Sequence, residues 1–239
     1  MVAASAAAPP LPQNPAYHLF ADMRVVCGVP RFGDVVSNLA FLVVGAFGLY
    51  HVKAVQAVGV FESPRDSIPY YCFFAAVTLI GAGSAYYHWA PDTARLFWDR
   101  LPMTAAFMTF FAAIVLDRID RHARIVWVLP ASIAAGVASV VYWNWSENAG
   151  HGDLRPYILI QFGTMLILPL ICLLFRESRL TDTRYVFAAI GIYGFAMLVA
   201  RFDYEILALS GELISGHSVK HLIAAIACAV SLAMLRARR

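Results

Sequence analysis

Seven apolar stretches, each close to the ~20 residues that a helix needs to cross a bilayer, leave this chain few ways to fold. They run Asp34–Lys53, Ile68–Trp89, Phe97–Asp117, Ile125–Trp145, Tyr157–Phe175, Tyr185–Ile206 and Gly216–Leu235. Only 14% of the 239 residues are charged and 61% are hydrophobic, whereas a soluble domain carries roughly 25% charged residues. The fold class expected is all-α: a polytopic membrane protein built as a seven-transmembrane helix bundle. The linkers are short and hold most of the charges and turn residues, so none can house a second domain. The expected division is residues 1–33 as an N-terminal tail and outer-face segment, and 34–239 as the bundle.

The start, Met1–Pro15, is rich in Ala and Pro and has no basic region ahead of an apolar one. It reads as a disordered tail, not a cleaved signal peptide, with the first span as the uncleaved insertion signal. Cys27, Cys72, Cys172 and Cys228 form no C-x-x-C pair and read as small apolar residues outside any disulfide framework. No basic block with interleaved aromatics points to nucleic acid.

Loop charges set the orientation. Arg24, Arg31, Arg95 and Arg155 fall on one side; Lys53, Arg65 and the basic runs within 118–124, 176–184 and 236–239 fall on the other. The richer side is expected in the cytoplasm, with the C-terminus there and the N-terminus outside. On that topology His88 ends the second span, Asp99 opens the third, and His217 and His221 open the seventh, all toward the outer face. Ser84 sits one turn deeper than His88.

Ionisable residues at membrane depth are costly and usually functional. Ser84 and His88 are spaced i, i+4, and so are His217 and His221, which puts each pair on one helix face. Two such faces meeting would supply three imidazoles, the ligand count of a catalytic zinc that keeps a position open for water. Such water has its pKa lowered to about 7. Asp99 is the candidate acid/base, and Ser84 the candidate donor to a tetrahedral oxyanion; a covalent Ser84 nucleophile would need His88 as base, free of metal.

Plainer readings apply elsewhere. His18, His51, His122 and His151 lie near loops or ends and read as interfacial. Asp99 alone could cap its helix. Asp203 reads as an ion pair with Arg201, or as a group orienting a ligand histidine. Tyr142–Trp145 reads as an interface belt, and Gly81 and Gly83 as close helix packing. Lys220 as a retinal Schiff base, with Asp99 as counter-ion, is disfavoured: next to His221, it points about 100° away from the His217/His221 face, and it lies near a helix end.

Ser-x-x-x-His in the second span, Asp in the third and His-x-x-x-His in the seventh resemble the alkaline ceramidases, which share a superfamily with the adiponectin and progestin receptors and GPI-remodelling lipases. Trp98-Asp99-Arg100-Leu101-Pro102-Met103 resembles that family's Asp-x-Leu-Pro-Met segment, and Asp34-Val-Val-Ser37-Asn38-Leu39 its Asn-x-x-Ser-Asn-Leu stretch. The resemblance covers about Asp22 to His221. It implies zinc on His88, His217 and His221, Asp99 activating water, Ser84 stabilising the transition state, and hydrolysis of ceramide or a related N-acyl lipid. Animal members bind calcium through an acidic cluster before the first span; here Arg31 falls where one of those acids would align, which speaks against a calcium site. The short loops resemble a bacterial member, implying an inner-membrane location. A receptor-like or ester-cleaving member of the superfamily is the alternative.

Overall fold

The computed structural model describes residues 9–119 and 125–238, and the protein is 76% helical. Seven helical segments are long and apolar enough to cross a membrane: Phe32–Ala57, Pro64–Trp89, Thr93–Arg118, Val126–Asn148, Arg155–Leu174, Thr183–Leu209 and Gly216–Arg236. Large apolar side chains such as Val43, Leu79, Leu166, Leu174 and Phe195 are exposed along their outer surfaces, as a lipid-facing bundle requires. The protein is a multi-pass membrane protein.

The helix ends have local causes. Asp92 accepts the Arg95 N–H at 2.6 Å and starts the third span a turn before its apolar run. Asp99 is therefore not that helix's cap, and its side chain is free for other work. Ser215 accepts the Ser218 N–H at 2.9 Å and caps the seventh span. The sixth span is broken: a 3-10 turn at Ala200–Phe202 separates Thr183–Val199 from Asp203–Leu209.

Six spans pack into a ring, in the order first, second, third, fifth, sixth, seventh and back to the first; the fourth lies outside it against the third and fifth. Small residues let the ring close. A Cβ added to Gly83 would overlap the Trp98 carbonyl oxygen of the third span, and one on Gly45 would overlap Thr78 of the second. Gly83 thus does what its spacing predicts. All four cysteines are free.

The segment before the first span departs from expectation. Residues 1–8 lie outside the described part of the chain, but from Leu11 onward the segment read as a disordered tail is docked across one end of the ring, the end that the loop charges assign to the outer face. The Leu11 carbonyl accepts the Leu154 N–H at 2.8 Å, and the Gln13 N–H donates to Glu147. Farther along, Phe20, Ala21 and Asp22 are buried. A small hairpin follows, pairing Val25–Val26 with Val29–Pro30. Its turn puts Cys27 at φ 51° and Gly28 at φ 78°, the positive-φ pair that a two-residue turn favours.

Candidate metal centre

His88, His217 and His221 come together at the outer end of the ring. Their ring centroids lie 4.7 Å (His88–His217), 4.9 Å (His88–His221) and 4.7 Å (His217–His221) apart. The Nε2 atoms of His88 and His217 are 3.2 Å apart, and one ring nitrogen from each residue lies within 4.8 Å of the others. Tetrahedral zinc with Zn–N bonds of about 2.0–2.1 Å separates its ligand nitrogens by about 3.3 Å. All three rings are buried, His88 at 1%, His221 at 2% and His217 at 9% exposure.

The surrounding shell holds these rings in place. Ser37 Oγ lies 2.8 Å from His221 Nδ1, which engages that nitrogen and leaves Nε2 buried without a hydrogen-bond partner. A buried polar atom without a partner is uncommon, and here an imidazole nitrogen faces two others. Asp34 accepts the hydroxyls of Ser215 at 2.8 Å and Ser218 at 2.7 Å, tying the first span to the start of the seventh. Among the described residues, Asp203 has no ion-pair partner. One of its oxygens accepts the His217 N–H at 2.7 Å and the other the Ala21 N–H at 2.9 Å. It thus holds the backbone of His217, a candidate ligand, where the sequence suggested either an ion pair or a group orienting a histidine. The three-imidazole donor set, its burial and the orphaned Nε2 all fit a zinc ion.

The N-terminal segment covers the cluster from outside. Phe20 packs edge-on to His88 and His217, with centroid separations of 4.6 and 4.5 Å. His18 bonds Tyr87 at 2.9 Å and Thr93 at 3.1 Å; burial lowers its pKa, Asp92 opposes that shift and Arg100 adds to it. Burial alone would raise the pKa of Asp22, but hydrogen bonds from Arg24 and from the Arg24 and Gly33 N–H groups hold it below the usual carboxylate range. Of the other histidines, His51 is buried and stacks on Phe47, His151 is exposed beside Trp145, and His122 lies outside the described residues.

Below the cluster the ring encloses a cavity of about 380 Å³, lined by six spans and by the N-terminal segment but by no residue of the fourth span. His221, Ser84, Asp99, Arg100 and Lys220 are among its walls; most of the rest is apolar, including Phe41, Phe73, Phe107, Phe110 and Leu168. Ser84 of the second span and Asp99 of the third both face into it. The cavity continues to Ser231, ten residues and so about 15 Å below His221 along the seventh span.

Lys220 corrects its sequence reading. Its Nζ lies 3.1 Å from His217 Nε2 instead of pointing away. Three residues on a helix advance 300°, only 60° short of a full turn, and the four-carbon stem spans the remainder.

The sequence points to all five site residues, and the fold gathers them. It does not point to Phe20, Gln13, Tyr87, Ser215 or Ser218. A carboxylate at the head of an apolar run was the available signal for Asp34. No family model matches the chain, and no curated protein matches it.

Proposed function

We propose that the chain is a zinc-dependent intramembrane hydrolase resembling the alkaline ceramidases, cleaving the amide bond of ceramide or a related N-acyl lipid. One observation carries this reading: three buried imidazoles cluster at the end of an apolar cavity that one of them, His221, lines together with Asp99 and Ser84. Zinc, when bound by His88, His217 and His221, supplies water acidic enough to attack at neutral pH. Asp99 takes a proton from the attacking water and returns it to the leaving nitrogen. Ser84, on the same cavity wall as Asp99, donates to the oxygen that gains charge as the carbonyl is attacked. The apolar channel toward Ser231 takes the acyl chain, and Phe20 with the N-terminal segment keeps bulk water off the histidines. The same site chemistry serves an ester.

Loop charges support a site facing outward, with the N-terminus outside and the C-terminus cytoplasmic; the compact chain and short loops support a bacterial member and so an inner membrane.

Metal content of detergent-purified protein tests the reading, wild type beside His217→Ala. The expected result is about one zinc per chain in the wild type, lost in the variant together with hydrolysis of ceramide. A folded wild type that takes up no zinc from solution would overturn it.

A further inference from the structure

Arg100 is the strangest charge in the molecule. Its side chain lines the cavity, yet the residue is only 4% exposed. Three rings surround the guanidinium, with its carbon 4.3 Å from the centroid of Trp143, 4.6 Å from Tyr157 and 5.3 Å from Tyr17. Nη2 donates to the Gln13 side-chain carbonyl at 2.7 Å. Nε and Nη1 are buried with no hydrogen-bond partner. Among the described residues, no carboxylate stands at ion-pair distance from it.

A guanidinium stays charged at any pH a cell reaches. Aromatic faces recover part of the cost of burying it, and a neutral amide recovers little more. A buried cation left without an anion is among the least favourable arrangements a protein can hold. The cavity as a whole repeats the imbalance: its walls hold Arg100 and Lys220 but a single carboxylate, Asp99. That carboxylate belongs to the neighbouring residue; the two side chains leave the helix about 100° apart, and both line the one cavity.

We propose that Arg100 is an oxyanion-binding residue and that the substrate is an N-acyl lipid whose amine half carries an oxyanion, as in an N-acyl amino acid, rather than a neutral ceramide. The proposal rests on the hydrolase reading above for its scissile bond. An N-acyl amino acid carries its carboxylate one carbon from the amide nitrogen, so that amide and carboxylate both lie in the cavity that Asp99 and Arg100 share. The carboxylate displaces the Gln13 side chain and accepts from the guanidinium fork, the geometry in which arginine binds oxyanions best. Hydrolysis then breaks the acyl C–N bond; the oxygen of water goes to the acyl carbon and a proton to the leaving nitrogen. Gln13 acts as a neutral placeholder, held by its own segment.

The test pairs N-palmitoylglycine with N-palmitoylethanolamine, which share a chain and an amide and differ in carboxylate against hydroxyl. Zinc-loaded wild type, Arg100→Gln and Gln13→Glu are compared, each checked for a single symmetric peak on size exclusion. Wild type is expected to favour the glycine conjugate in kcat/KM by about tenfold to a hundredfold, the worth of a charged hydrogen-bonded pair. The ratio should fall toward one in Arg100→Gln. It should fall as well in Gln13→Glu, which puts a carboxylate on the guanidinium without disturbing its rings, so the test survives if Arg100→Gln does not fold. Equilibrium dialysis of both ligands and of free palmitate against zinc-free protein reads the site without turnover. Preferential, Arg100-dependent binding of N-palmitoylglycine with no hydrolysis of either conjugate would uphold the oxyanion site while sinking the hydrolase reading. Equal handling of the two conjugates by wild type overturns the proposal. An Arg100-dependent preference confined to free palmitate also overturns it, because the occupant is then the released acid.

Discussion

The two ends of the bundle both bury charge, and they do so in opposite ways. At the inner end, Asp117 accepts the N–H groups of Arg179, Leu180 and Thr181 and the Thr181 hydroxyl. Its neighbour Arg118 donates to the Phe175 and Thr181 carbonyls and to the hydroxyls of Thr181 and Thr183. Each group is matched by the loop between the fifth and sixth spans. At the outer end, the histidine cluster and Arg100 leave ring and guanidinium nitrogens buried with no partner. A satisfied buried charge holds a loop in place; an unsatisfied one costs free energy that the fold recovers only when something binds. Substitutions at the inner end should therefore act on stability, and those at the outer end on metal and turnover.

Asp99→Asn is expected to have the largest effect. It keeps the shape and removes the proton acceptor, so hydrolysis should fall by about 10²–10⁴-fold with zinc per chain unchanged. Turnover assayed beside metal content checks this, and undiminished hydrolysis would remove Asp99 from its role. At the opposite end, Asp117→Ala leaves three backbone donors and a hydroxyl without their acceptor, a cost of about 3 kcal/mol. The melting midpoint in detergent should drop while the protein that remains folded still carries its zinc. Loss of metal without loss of stability would erase the distinction between the two ends.

Ser37→Ala sharpens the comparison within the outer end. Ser37 touches the ring of His221 but lines no part of the cavity. Its removal should weaken zinc binding by about 10–100-fold, read by competition with a chelator, and leave the fold intact. Zinc affinity unchanged from wild type would mean that packing alone orients His221.

The same contrast explains what could be read from the chain beforehand. The spans were legible because apolar length is a property of composition. His88, His217, His221, Ser84 and Asp99 were legible because helical spacing and sidedness are simple periodic constraints. The N-terminal segment was not. Leu11 and Gln13 dock through a backbone carbonyl and a backbone N–H, groups that every residue carries, so an Ala/Pro-rich stretch hid a structured strap. Arg100 was visible only as a letter in a motif. Its meaning depends on Tyr17, Trp143 and Tyr157, which arrive from three other parts of the chain. Asp203 was noticed as a possible orienting group, but that it would hold a backbone N–H of the seventh span required the break in the sixth.

The outer end also contains matched charges, and one of them, Asp153, gives the smallest expected effect. Asp153 is buried beside the strap's anchor at Leu154 and pairs with Arg155 at 2.7 Å. The Arg155 hydrogen bonds hold its carboxyl down to about 2, below the ordinary aspartate value near 3.9. A depressed folded pKa contributes stability that is complete above the unfolded value and is lost as pH falls through the folded one. The gap in melting midpoint between wild type and Asp153→Asn should therefore be constant from neutral pH to about 5, close between about 4 and 2, and vanish below. The exposure of Arg155 limits the gap to about 2–4 °C. Zinc content should not change, because Asp153 is spent on the loop and on no unmatched group. A gap that persists unchanged at pH 2 would show that Asp153 works by shape and not by charge; a loss of zinc would mean that the strap and the metal centre are one cooperative unit.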